Sequence, residues 1–378
     1  MKRFAFLIHP REIIDFGRRV GRMIGIGENL GMRIIPKRPS EWLIKHLHGR
    51  LGFTVCSYFD VFGKAEGIII AVLLTGKQMV SLPLPFVRQR ILDAVLYAQD
   101  HMGVEGIGLG AYTAPLTSAG RWLANHPAVD IWITHGDSYA AILALDGIKK
   151  VADLKNLDLK TAKIAIVGAY GLIGEALSET LIKKSELCDR LTLIGRKKER
   201  FGRLLRKVGG SLNGTKISDN LFDAREADLI IAATTGETAI LKSEHLKRGA
   251  IVYDISQPIN LQFDVCAERS DITRVDGTYA QINGIKLNFE MGPPKGVTFA
   301  CLVETIMQTL VGDKHHHVGH IELEHMKRTA EWAQQFGFSH APLTNFSQPL
   351  TSILGEAKER KTKKHPFKEA LAALKTLF

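Results

Sequence analysis

The chain has 378 residues, 45% of them hydrophobic and 24% charged, a balance that excludes disorder as its main state and leaves enough material for two domains. Its four cysteines, Cys56, Cys188, Cys266 and Cys301, share no short spacing, which argues against a disulfide framework or a zinc knuckle and for a reducing compartment. Fifty Lys and Arg against 39 Asp and Glu give +11, most of it from the run 196–207, with seven basic residues and one acid, and the tail 355–378, with seven and three.

The tail reads as a solvated amphipathic helix that would also suit an acidic protein or anionic lipid, a peripheral membrane contact. Its aromatics do not interleave with its charges, so nucleic acid is not expected. Apolar runs such as Ile68 to Leu74 fall short of the roughly 18 to 20 residues of a spanning helix. His9-Pro10-Arg11-Glu12 interrupts the apolar stretch after Met1-Lys2-Arg3 before a signal-peptide core can form. The expectation is a cytoplasmic protein with no transmembrane segment.

Three regions differ in texture: 1–155, 156–298 and 299–378. In the first, the β-branched, glycine-bounded run 68–74 predicts a buried strand, and Ile91, Ala94, Val95 and Ala98 set a helix over 87–101. From Lys163 strands and helices alternate: strand 163–168, helix 175–184, strand 191–194, helix 199–208, then strands 228–233 and 251–255, each after helix-compatible sequence. That alternation predicts an α/β, Rossmann-type doubly wound parallel sheet, between an N-terminal α/β substrate domain and C-terminal helices that begin with one at 302–311.

Gly168-Ala169-Tyr170-Gly171-Leu172-Ile173-Gly174 stands between a predicted strand and helix, where a dinucleotide fingerprint has to stand. Gly168 permits the tight turn, Gly171 lets backbone approach the pyrophosphate, and Gly174 allows close helix packing, with the helix N-terminus meeting the negative charge. The next strand ends at Arg196 and Lys197 rather than at a carboxylate, which selects a 2′-phosphate and hence NADPH. Arg200, Arg203 and Arg206 read instead as solvent-facing helix charges. Thr234 and Thr235 would lie beside the nicotinamide ribose; Asp254 and Ser256 end another strand at the same edge, as ligand contacts or as turn chemistry.

Cys301 precedes the helix at 302–311, where the dipole and unpaired N–H groups favour thiolate. Such a sulfur attacks thioesters, although a free cysteine also serves as a packing residue. Cys56, Cys188 and Cys266 have no comparable setting. His316 and His320 are spaced like metal ligands, but Gly319 intervenes, and a polar loop entering a helix is the expectation; no metal site is assigned. His9 and His135 are candidate general acids or hydrogen-bonded structural histidines.

Taken together, these residues resemble the long-chain acyl-(acyl-carrier-protein) reductases of the cyanobacterial type. The resemblance covers about residues 3–340: Phe4 to His9 with Arg18-Arg19, Ile91 to Thr113 with Gly108-Leu109-Gly110-Ala111-Tyr112-Thr113, Gly136 to Ala141, the glycine turn, and Phe299-Ala300-Cys301. It implies that Cys301 is the acylated nucleophile, that Gly168, Gly171 and Gly174 serve NADPH, that acyl carrier protein or coenzyme A donates the acyl group, and that a fatty aldehyde is the product. The family segment Gly-Asn-Thr-His-Thr-Ala is altered here at Asp137, Tyr139 and Ala140, and the tail beyond Phe346 has no counterpart. Two other readings remain: an NADP-dependent dehydrogenase of the shikimate-dehydrogenase sort, which needs no cysteine, and an NADP-sensing binding module.

Overall fold

Residues 1–10, 52–184, 190–212, 214–234, 239–256 and 258–350 are described by a computed structural model. They divide into two units, one of Met1–Gly136, Gly284–Met291 and Glu304–His320, the other of Asp137–Asn283, Gly292–Val303 and the chain from Ile321 onward.

The first unit is built on a five-stranded sheet, β1 (Lys2–Ile8), β2 (Phe53–Val61), β3 (Ala65–Val72), β4 (Gly106–Leu109) and β5 (Trp132–Thr134), in the order β2-β3-β1-β4-β5. Its central strands are apolar on both faces because both faces are covered: Phe4, Phe6, Ile68, Ile69 and Ile70 are all buried. β2 runs antiparallel along the edge, with a register shift at Val55/Ser57. Helix α1 (Leu84–Met102) buries Val87, Ile91, Ala94, Val95 and Ala98 and ends at Gly103, which takes φ +62. The strand and helix expected at 68–74 and 87–101 are therefore present.

The second unit holds β6 (Lys163–Val167), β7 (Arg190–Ile194), β8 (Lys216–Ser218), β9 (Leu229–Ala232), β10 (Ile251–Asp254) and β11 (Thr273–Asp276), all parallel, in the order β11-β10-β9-β6-β7-β8. Numbered within the unit this is 3-2-1-4-5-6, the doubly wound order of dinucleotide-binding folds, which places ligands at the carboxyl edge where the order reverses, between β6 and β9. Helices α2 (Asp137–Leu154) and α3 (Leu172–Lys183) pack together. A three-stranded sheet of β12 (Tyr279–Gln281), β13 (Val297–Phe299) and β14 (Ser339–His340) adjoins helices α4 (Ala300–Val311) and α5 (Leu323–Phe336) in sequence.

Three expectations need correction. The helix expected over 199–208 is a 3₁₀ turn at Lys198–Phe201 followed by the short helix Gly202–Lys207, in which only Phe201 and Leu204 are buried; two anchors three residues apart suit a tight turn better than a long amphipathic face. The connections before β9 and β10 are likewise 3₁₀ turns, at Leu221–Glu226 and Ser243–His245. Helix α2, read as part of the first region, clusters with the second unit, because it is buried along most of its length and packs on α3 and α5. The basic tail, Arg18-Arg19 and Cys188 lie outside the described residues.

Candidate functional site

The glycine turn has no room for side chains. Gly168 takes φ +88, and a Cβ there would lie 2.5 Å from the Ala233 carbonyl oxygen. At Gly174 a Cβ would lie 2.3 Å from the Gly168 carbonyl oxygen, and at Gly171 3.0 Å from the same atom. The first glycine makes the turn and the third lets α3 lie against it. Gly171 is the N-cap of α3 and supplies no side-chain hydrogen bond, so the first N–H groups, at Leu172, Ile173 and Gly174, keep the anion-binding character of a helix N-terminus. These features fit a dinucleotide pyrophosphate.

Tyr170 packs rather than points into a void. A Cβ at Gly195 would come within 2.4 Å of its ring, Phe201 meets it edge-to-face at 5.3 Å, and the Arg200 guanidinium stands 5.7 Å above it. The ring thereby steadies the end of β7, where Arg196 and Lys197 are exposed and make no ion pair among the described residues. No carboxylate replaces them at that strand end.

The reading of Arg203 as a solvent-facing charge is overturned. Its Nε donates to both oxygens of Glu175, at 2.8 and 2.7 Å, and Lys207 Nζ lies 3.2 Å from Glu175 and from Glu179. Burial by itself would raise the Glu175 carboxyl, but the Arg203 and Lys207 cations hold it below its ordinary value. Buried acids on the first turns of α3 are thus neutralised within the unit.

At the ends of β9 and β10 a hydrogen-bonded frame surrounds Thr234. Its N–H donates to Ser256 Oγ at 3.0 Å, and its Oγ1 accepts from Asn260 Nδ2 at 2.7 Å. Asp254 accepts from the N–H groups of Ser256, Asn260 and Leu261 at 3.2, 2.8 and 3.2 Å, and from Arg274 Nε and Nη2 at 3.3 and 3.2 Å. Burial pushes the Asp254 carboxyl up, with Arg274 opposing it. Asp254 and Ser256 therefore shape the carboxyl-edge loop. Thr235 lies outside the described residues.

Sequence pattern alone does not single out Asn260 or Arg274. Arg274 and Asp276, two apart on β11, share one face, and that spacing is the available signal; Asn260 carries no local signal at all.

Cys301 is half-buried in the first turn of α4, directly after β13. Ala300 N–H donates to Thr278 O at 3.1 Å, and Gly277 N–H donates to Asp254 O at 2.9 Å. This chain of contacts ties the start of α4 to the carboxyl end of β10. Thr298 Oγ1, in β13, is fully buried without a hydrogen-bond partner.

The histidines singled out in the sequence are engaged within the first unit. His9 bonds Pro10 O through Nδ1 at 2.9 Å and accepts from Tyr112 N–H through Nε2 at 3.3 Å. His135 is buried, its N–H on His317 O. His316 Nδ1 accepts from Ile133 N–H. Among the described residues no group of three metal-ligating side chains forms, and no helix is long and apolar enough to cross a membrane.

Residues 150–277 match the family model described as Shikimate / quinate 5-dehydrogenase. The chain is 25% identical over 233 residues to the long-chain acyl-(acyl-carrier-protein) reductase of Synechococcus elongatus, covering 59% of this chain and 67% of that protein. It is 24% identical over 258 residues to the aminotransferase PigE of a Serratia species, covering 66% of this chain and 29% of that protein, so it spans less than a third of the aminotransferase. Among solved structures, a dipicolinate synthase from Bacillus halodurans shows 14% identity and a TM-score of 0.31 over 45% of this chain and 56% of that one. The NAD-dependent malic enzyme from Thermotoga maritima shows 12% and 0.35 over 71% and 63%. The sheet order, the glycine turn and the matched segment support an NAD(P)-dependent oxidoreductase with a Rossmann-type domain.

Proposed function

We propose that this protein reduces a long-chain acyl thioester to a fatty aldehyde with NADPH, through an acyl-enzyme on Cys301. The observation that carries the reading is a cysteine in the first turn of α4, tied through Ala300 and Thr278 to the carboxyl end of a nucleotide-binding sheet. The distant likeness to an acyl reductase supports the substrate class.

Gly168, Gly171 and Gly174, with the N–H groups of Leu172 and Ile173, would hold the pyrophosphate; Arg196 and Lys197 the 2′-phosphate; Thr234 and Thr235 the nicotinamide ribose. NADPH bound there supplies a hydride. The Cys301 thiolate attacks the thioester carbonyl carbon, the bond to the carrier sulfur breaks, and the departing thiolate of acyl carrier protein or coenzyme A takes up a proton. The acyl-enzyme holds its carbonyl carbon for reduction, and release of the aldehyde returns Cys301 as thiolate. An acidic carrier protein would be steered by the basic surface.

The test is intact-mass analysis after incubation with a long-chain acyl thioester in the absence of NADPH. The expected result is one acyl adduct, absent in Cys301→Ala and discharged when NADPH is added. The match to Shikimate / quinate 5-dehydrogenase favours a second reading, an NADP-dependent dehydrogenase without covalent catalysis, under which no adduct forms and Cys301→Ala keeps its turnover.

A further inference from the structure

We propose that the first unit carries a second ligand site, for a phosphoester of nucleotide size, in the depression beside Trp122. This goes beyond the acyl-transfer reading and does not depend on it. The depression measures about 340 Å³. It opens to solvent, and its size is in the range of small-molecule sites, which begin at about 300 Å³.

Its lining selects an anion. Arg88, Arg121, Asn125 and His126 meet there with Trp122, and no carboxylate contributes. Arg88 Nε donates to Leu116 O at 2.9 Å and its Nη2 to Ser118 Oγ at 3.1 Å. Those bonds hold the guanidinium 5.3 Å over the Trp122 ring and leave its remaining N–H donors for a ligand. Arg121 is backed by Gly319, which takes φ +83: a Cβ there would lie 1.9 Å from Arg121 Nε, so a side chain at this position would push the guanidinium aside. His126 Nδ1 accepts from Ala128 N–H at 3.3 Å, which puts the ring proton on Nε2 and makes that nitrogen a donor without requiring a charge.

The wall is also strained. Ser118, Ala119 and Gly120 take φ +57, +54 and +82 in succession, a left-handed conformation that residues with side chains disfavour and that concentrates at ligand clamps. Planar cations preorganised by backbone bonds suit the oxygens of a phosphoryl group, and an indole beside them suits a ring. Two guanidiniums beside an indole, with no carboxylate in the lining, fit a ring-bearing phosphoester.

Calorimetric titration of the full chain with 5′-AMP, coenzyme A and adenosine tests the site, any binding at the glycine turn being the part that Arg121→Gln leaves unchanged. The expectation is a 5′-AMP binding component that Arg121→Gln weakens, with adenosine weaker in that component by at least about tenfold, the cost of losing charge-assisted bonds. Arg121→Gln leaves the Arg88 tethers intact and weakens 5′-AMP by a similar factor, while its thermal midpoint and NADP⁺ affinity match those of the parent. Coenzyme A binding more tightly than 5′-AMP would assign the site to its phosphoadenosine end, and the reverse order to a free nucleotide; both uphold it. Equal 5′-AMP affinity in the parent, Arg121→Gln and Arg88→Gln overturns the proposal, as does binding of poly-glutamate with no binding of any phosphoester. Acylation of Cys301 is not a readout here, so the two proposals fail separately.

Discussion

Gly147 stands in the interior of α2, where replacement by alanine ordinarily gains about 1 kcal/mol of helix propensity. Its surroundings reverse that sign. A Cβ would lie 2.0 Å from the Tyr253 hydroxyl oxygen and 2.4 Å from His340 Nε2, two atoms hydrogen-bonded to each other at 2.8 Å in the interior. Overpacking costs about 1–3 kcal/mol and a broken buried hydrogen bond about 1–3 more, which together outweigh the propensity. Gly147→Ala is expected to destabilise the second unit by about 2–4 kcal/mol in urea unfolding followed by circular dichroism. An unchanged or raised midpoint would show that α2 shifts to make room. The same contrast holds at Arg203, which is indistinguishable in sequence from its solvated neighbours and is set apart only by Glu175, 28 residues earlier.

Among the strands, β10 and β11 are joined by more than their ladder. Arg274 is fully buried and pairs with Asp254 at 3.2 Å and with Asp276 at 2.6 Å, while Asp276 also accepts from Thr344 Oγ1 and Ser347 N–H at 2.8 Å. Removing one partner of a buried ion network leaves charge stranded in a low dielectric, at about 3–5 kcal/mol. Arg274→Leu is therefore expected to lower stability by that amount and to loosen the 256–261 loop, read as a lower thermal midpoint and faster amide exchange there. The exposed Lys163–Glu226 pair, at 3.0 Å, serves as the control, since water screens it and its loss should barely register. If the two variants unfold alike, the buried network is not what holds the β10–β11 end. The 3₁₀ connections before β9 and β10 belong to the same lesson. Each buries a single side chain, Ala224 or His245, and propensity without an apolar face does not sustain an α-helix.

Across the two units, acid is expected to act in sequence. Burial pushes His340, in the second unit, down to about 4 from its ordinary 6.5. Because the unfolded chain binds that proton more readily, stability from the neutral ring is full above pH 6.5 and is lost as the pH falls towards 4, by up to about 3 kcal/mol. In the first unit Asp313 is raised by burial but brought down to about 2 by the His315 N–H and the His317 and His315 rings; its contribution is present above about 3.8 and is lost towards pH 2. Hydrogen exchange corrected for intrinsic rates should show the second unit losing protection between pH 6.5 and 4, before the first. Simultaneous loss would contradict the assignment.

How much of this was legible in the residues follows from range. Period-two and period-3.6 patterns and a glycine triplet after an apolar run are local, so the parallel sheet, α1 and the turn at 168–174 could be read without coordinates. The Arg203–Glu175 pair, the Asp254–Arg274 frame, the clasp of Gly319 on Arg121 and the return of later segments to the first unit join residues far apart in the chain. Such pairings leave no periodic trace, because each depends on where packing brings two strands or loops together, and folding alone sets that distance.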